Sequence, residues 1–122
     1  MLIGAFGILA AAVALGTALA VLYLRGEDAA APPWLLTVLH GLFGLGGLGC
    51  LLLALRGPPR GLDQGTASFG VIAAALLAAA ALAGLTALIR QRGRGRRAGT
   101  LIGLHATLAV SGFVILAAYL LA

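Results

Sequence analysis

His40 and His105 are the only imidazoles in this sequence. Histidine is the one side chain whose unperturbed charge change falls near neutral pH, and its neutral ring carries one N–H and one lone pair. Each histidine stands six residues into a long apolar run, the first counted from Trp34 and the second from Gly99. Residues four and seven positions further on share a helical face with the first. After His40 these are Gly44 and Gly47; after His105 they are Ala109 and Gly112. Each imidazole is thus followed by a stretch without side-chain bulk. Such a stretch either lets two helices touch closely or makes room for a flat ligand.

The elements that must position these residues are set by composition. The chain has 122 residues, of which 62% are hydrophobic and 9% charged. A soluble domain is about half apolar and about a quarter charged, so a soluble monomer is excluded. Four apolar runs, about 2–24, 34–55, 66–89 and 99–121, contain no Asp, Glu, Lys or Arg. A transmembrane helix needs about 20 such residues. The connectors hold the charge, with glycine or proline beside it: Arg25 to Pro33, Arg56 to Gly65 and Arg90 to Arg97. They read as short turns at the membrane faces, joining antiparallel neighbours. The expected fold is a single all-α membrane domain over 1–122, an up-down-up-down four-helix bundle. Ala18-Leu19-Ala20 has the look of a signal-peptide cleavage site, but no basic segment precedes the first run and the run is long, so it is kept as a span.

The net charge of +5 comes from arginine alone. Because the arginines lie between apolar runs and not on a soluble face, nucleic acid is not an expected partner. Arg25, Arg90, Arg92, Arg94, Arg96 and Arg97 fall on one side of the bilayer, against Arg56 and Arg60 on the other. The bias places the arginine-rich loops in the cytoplasm and both termini outside, in a bacterial inner membrane. Glu27 and Asp28 share the side of the third connector and are candidate partners for its arginines.

The two halves of the chain repeat. Phe6 to Ala12 matches Phe69 to Ala75, and Leu39 to Gly47 matches Leu104 to Gly112, with Leu51 and Leu55 opposite Leu116 and Leu120. A duplicated two-helix hairpin enters the membrane twice in the same sense, its halves related by a pseudo-two-fold axis along the normal. That axis sets the histidines facing each other at one depth, roughly 9 Å inside the cytoplasmic face at 1.5 Å per residue. An ionisable residue inside the membrane is a functional candidate. A facing pair of imidazoles above cleared volume suits a planar ligand held by two axial nitrogens, and haem is the foremost one. His40 and His105 would be its iron ligands, Gly44, Gly47, Ala109 and Gly112 its floor. Leu36, Phe43, Leu51, Leu101, Leu108 and Leu116 would form its walls, and Arg25 and Arg90 would meet its propionates. A ligating imidazole donates its second N–H, here to Thr17, Thr37, Thr86 or a backbone carbonyl.

On this pattern the chain resembles the small membrane cytochromes b, the b561-like proteins and the haem-bearing anchors of succinate dehydrogenase. The resemblance covers the topology of the whole chain and, as motif, only His40, His105 and their glycines. It implies one haem b in a four-helix bundle and electron transfer with a quinone, a second copy or a larger complex, which makes the chain an oxidoreductase component if it is part of an enzyme. The b561-like proteins carry two haems and four histidines, and the outer half here has no such pair.

Other chemistries have less to stand on. No span holds a carboxylate or lysine for ion-coupled transport. Ser111 lacks the flanking glycines of a nucleophile elbow, and Cys50 alone makes neither an intrachain disulfide nor a cysteine zinc site. Gly99, Gly103, Thr107 and Ser111 form a ridge of small residues suited to helix contact. Tyr23, Trp34 and Tyr119 fit the interfacial belts. The competing functions are a non-catalytic membrane subunit whose histidines only hydrogen-bond, and a small haem or metal carrier.

Overall fold

The computed structural model describes residues 1–25, 33–58, 60–94 and 99–122, with the backbone alone for 92–94. The expected pairing of Glu27 and Asp28 with the side chains of Arg92, Arg94, Arg96 and Arg97 lies outside the described residues. Those described form four helices and no strand: α1 (Leu2–Leu24), α2 (Trp34–Ala54), α3 (Phe69–Arg94) and α4 (Gly99–Leu121). All four are long and apolar enough to cross a membrane, with α3 doing so over Phe69–Gln91. The fold is all-α, consistent with a four-helix membrane bundle.

Two span limits differ from the sequence expectation. α2 stops at Ala54 and not at Leu55, ahead of Gly57 and Pro58. α3 begins at Phe69 and not at Thr66, because Thr66 belongs to the preceding turn. There its N–H donates to the Gly61 carbonyl at 3.0 Å and its hydroxyl to the same oxygen at 3.4 Å. Gly61 and Gly65 close this turn with φ of +69° and +70°, a region L side chains rarely adopt. At its other end α3 continues through Arg90 and Gln91, since both residue types favour helix without needing apolar surroundings.

The chain divides into two compact units, Met1–Ala54 and Leu55–Ala122. Each is an antiparallel hairpin, α1 on α2 and α3 on α4. In lipid no hydrophobic force drives helices together, so close packing over small residues must do so. In the first hairpin Ala5, Leu9 and Ala12 of α1 are buried against Gly47 and Leu51 of α2. In the second, Ala73, Leu77 and Ala80 of α3 are buried against Gly112, Leu116 and Tyr119 of α4. Away from the contact between its two helices, each hairpin keeps large apolar residues exposed, among them Leu42, Leu45, Val71 and Leu82, which suits a membrane-spanning chain. No polar or charged residue is buried among those described.

The repeat is visible in these contacts, with one correction. α2 and α4 correspond as expected, with His40, Gly47 and Leu51 matching His105, Gly112 and Leu116. α1 and α3 do not correspond through Phe6 and Phe69. Their equivalent residues are Ala5, Leu9, Ala12 and Gly16 against Ala73, Leu77, Ala80 and Gly84, which shifts the register by five residues. In both helices the four recur at the same spacing along one face. The Phe-Gly match was carried by alanine-rich sequence that aligns with itself in several registers.

Tyr119 also departs from expectation. It packs inward, with its ring against Gly70, and its hydroxyl accepts from the Arg60 N–H at 3.4 Å. Trp34 is exposed at the start of α2, as a belt residue would be. The ridge Gly99, Gly103, Thr107 and Ser111 is exposed, and a Cβ on Gly103 would meet nothing within 4 Å.

Candidate functional site

α2 carries His40 on the face that packs against α1. The imidazole Nδ1 lies 2.9 Å from the backbone oxygen of Ala12. α4 presents His105 to α3 in the same way, with Nδ1 2.7 Å from the backbone oxygen of Ala80. A carbonyl can only accept, so Nδ1 carries the proton in both rings and donates it. In a neutral ring the lone pair is then on Nε2. Both histidines are half-buried.

The carbonyls they use are already engaged, since in an α-helix the oxygen of residue i accepts from the N–H of residue i+4. The residue four positions beyond Ala12 is Gly16, and four beyond Ala80 is Gly84. Each glycine lies directly beneath an imidazole. A Cβ placed on Gly16 would stand 2.8 Å from His40 Cε1 and 3.2 Å from its Nδ1. On Gly84 it would stand 2.8 Å from His105 Nδ1 and 3.0 Å from Cε1. Both rings therefore rest on bare backbone. Gly16 and Gly84 escaped the sequence analysis, although aligning the halves on these two glycines exposes the shared Ala-x3-Gly pattern.

The glycines following the histidines have different surroundings. Gly47 is covered by α1, where a Cβ would fall 2.6 Å from Leu9 Cγ and 3.2 Å from Leu9 N. Gly112 is covered by α3, 3.0 Å from Leu77 Cγ and 3.2 Å from the Ala73 oxygen. Both serve close helix contact, and the volume expected there is filled by the leucine of the partner helix. Gly44 differs, with nothing within 4 Å of its Cβ position, and Ala109 is half-buried. Of the expected walls, Leu51 and Leu116 are fully buried in their hairpin cores, while Phe43 is partly exposed.

The threonines are not the histidines' partners for Nδ1. Thr17 donates to the Val13 carbonyl at 2.9 Å, Thr86 to Leu82 at 2.7 Å and Thr37 to Pro33 at 3.4 Å, each one turn back along the chain. A hydroxyl within reach of its own helix satisfies itself locally, which leaves the neighbouring helix's backbone to receive the imidazole. Arg25 and Arg90 are exposed at the same end of their hairpins as His40 and His105 respectively.

Among the described residues no three His, Cys, Asp or Glu come together to hold a metal ion. A bare ion would find too few protein donors, since structural and catalytic zinc take three or four. Haem brings its own four nitrogens and asks the protein for only one or two axial ligands. Each hairpin supplies one imidazole whose Nδ1 is committed to a carbonyl, a donor of the kind such a group takes. Comparison of the chain with protein-family models, curated proteins and solved structures returns no match.

Proposed function

We propose that the chain binds haem b, with Nε2 of His40 and Nε2 of His105 as the iron ligands, and that it passes electrons within the membrane to a quinone or a partner subunit. The observation that carries this is the Nδ1–H···O=C bond made identically in both hairpins. Metal-ligating histidines almost always donate their other N–H to a carbonyl or carboxylate, which fixes the ring and raises the basicity of the ligating nitrogen. Haem supplies a one-electron couple when bound. The chain's own part is to hold two imidazoles in one tautomer, keep charge out of their surroundings, and offer Arg25 and Arg90 to the propionates. The arginine-rich loops are proposed to face the cytoplasm.

A second function is favoured by the seating of the rings on Gly16 and Gly84. A histidine locked into its own hairpin is also a fastener, contributing roughly 0.6–2 kcal/mol per bond in a membrane. In that case the chain is a structural subunit and binds nothing at this place.

The two are separated by the visible spectrum of the detergent-purified protein, made in cells supplied with haem. Haem binding gives a low-spin b-type spectrum that sharpens on dithionite reduction, with one haem per chain. A colourless preparation that takes up no added haem would leave the fastener alone.

A further inference from the structure

We propose that Gly16 and Gly84 are positioning residues that select the tautomer of His40 and His105, and so decide which imidazole nitrogen is offered as a ligand. The part of this concerning iron rests on the haem function proposed above; the part concerning the tautomer does not.

A helical Cβ tilts toward the N-terminus and covers the turn before its own Cα. A side chain at residue i+4 therefore shields the flank of the carbonyl at residue i. Glycine at positions 16 and 84 removes that shield from the oxygens of Ala12 and Ala80. A donor on the adjacent helix can then reach an oxygen that already serves the helix. The Nδ1–Cε1 edge of each ring comes closest to the missing Cβ, at 2.8 and 3.2 Å for His40 and 2.8 and 3.0 Å for His105. This is the edge that makes the hydrogen bond. The other glycines of α1, Gly4 and Gly7, have nothing within 4 Å of their Cβ positions. Contact with an imidazole is thus particular to Gly16 in α1, and Gly84 repeats it in α3.

An alanine methyl at either position would push the ring edge off the carbonyl. The ring would lose its Nδ1 acceptor, and the Nδ1–H form would lose its advantage over the Nε2–H form. In the latter Nε2 carries a proton in place of the lone pair, and ligation would require its removal.

The test is the 15N NMR spectrum of histidine-labelled protein in detergent without haem, with the two rings assigned through His40→Gln and His105→Gln. In the wild type both rings should show a protonated Nδ1 and an unprotonated Nε2. Gly16→Ala should convert His40 toward Nε2–H and leave His105 unchanged, and Gly84→Ala should do the reverse. In protein that binds haem, each substitution should also weaken binding by about 10- to 100-fold, the range for losing an outer-shell partner. A purely structural glycine would lower thermal stability without exchanging the tautomer. An Nε2–H wild type, or alanine variants with unaltered tautomers, would overturn the proposal. Should an alanine variant fail to accumulate, the wild-type spectrum decides alone: Nδ1–H in both rings supports the proposal and Nε2–H in either overturns it. A colourless protein with both rings in the Nδ1–H form would refute haem binding and leave the positioning role standing.

Discussion

Replacing His40 or His105 by alanine is expected to abolish the low-spin haem spectrum, each substitution being sufficient by itself. If the two imidazoles are the protein ligands of the haem, removal of either would leave the group held by one side chain in place of two. Affinity should fall by at least as much as for loss of an outer-shell partner, about 100-fold. Helix content should hardly change, because the Nδ1 hydrogen bond that each ring makes to its hairpin is worth only about 1 kcal/mol. Imidazole added to the buffer should partly restore the low-spin spectrum by entering the vacated place. The check is a haem titration of wild type and both variants, followed in the visible range with circular dichroism alongside. Variants that retain wild-type affinity and spectrum would show that these rings are not the ligands.

Substituting Gly47 or Gly112 by leucine is expected to have the largest effect on stability. At Gly47 the first added carbon already falls 2.6 Å from Leu9 Cγ and 3.2 Å from the backbone nitrogen of Leu9. A side chain can move aside, but a backbone nitrogen moves only if the helices separate. At Gly112 the Ala73 carbonyl at 3.2 Å imposes the same limit. Overpacking a fitted interface costs about 1–3 kcal/mol and occasionally more, and a four-carbon side chain at a helix contact belongs at the upper end. Separation would also carry His40 away from Ala12 and His105 away from Ala80, so haem binding should weaken with stability. Gly46 and Gly49 provide the control. Both are exposed with nothing within 4 Å, and leucine there should be nearly neutral in detergent. Thermal denaturation of the four variants measures the contrast. Equal losses at Gly46 and Gly47 would contradict the packing described for α1 and α2.

The spans were legible because the bilayer admits little else. A run of about 20 residues without charge has to satisfy its backbone internally, and a helix does so. Helix ends were less legible, because they depend on turn contacts such as Thr66 with the Gly61 carbonyl, which no hydropathy pattern contains. The histidine pair stood out by rarity, and the matched frames of His40 and His105 survive in the structure as matched hydrogen bonds to a backbone carbonyl. What covers Gly47 and Gly112 was not legible. Periodicity assigns them to the histidine face, but the crossing of α1 over α2 decides that Leu9 fills the space beside Gly47. The register of α1 against α3 was misread for a related reason. In helices made of Ala, Leu and Gly, identity counts reward several alignments, while only contact with the second helix distinguishes Gly16 from Gly7. The threonines drew attention as polar groups near the histidines, yet a hydroxyl bonded to its own helix has little left to offer a neighbour.

The central claim of the proposal is that His40 and His105, each tied through Nδ1 to its own hairpin, would hold one iron through Nε2. Electron paramagnetic resonance of the oxidised, haem-loaded protein at low temperature tests it most directly. The predicted result is a low-spin ferric signal of bis-imidazole ligation, replaced by a high-spin signal in both His40→Ala and His105→Ala. A high-spin signal in the wild type, or a low-spin signal that persists in either variant, would contradict it.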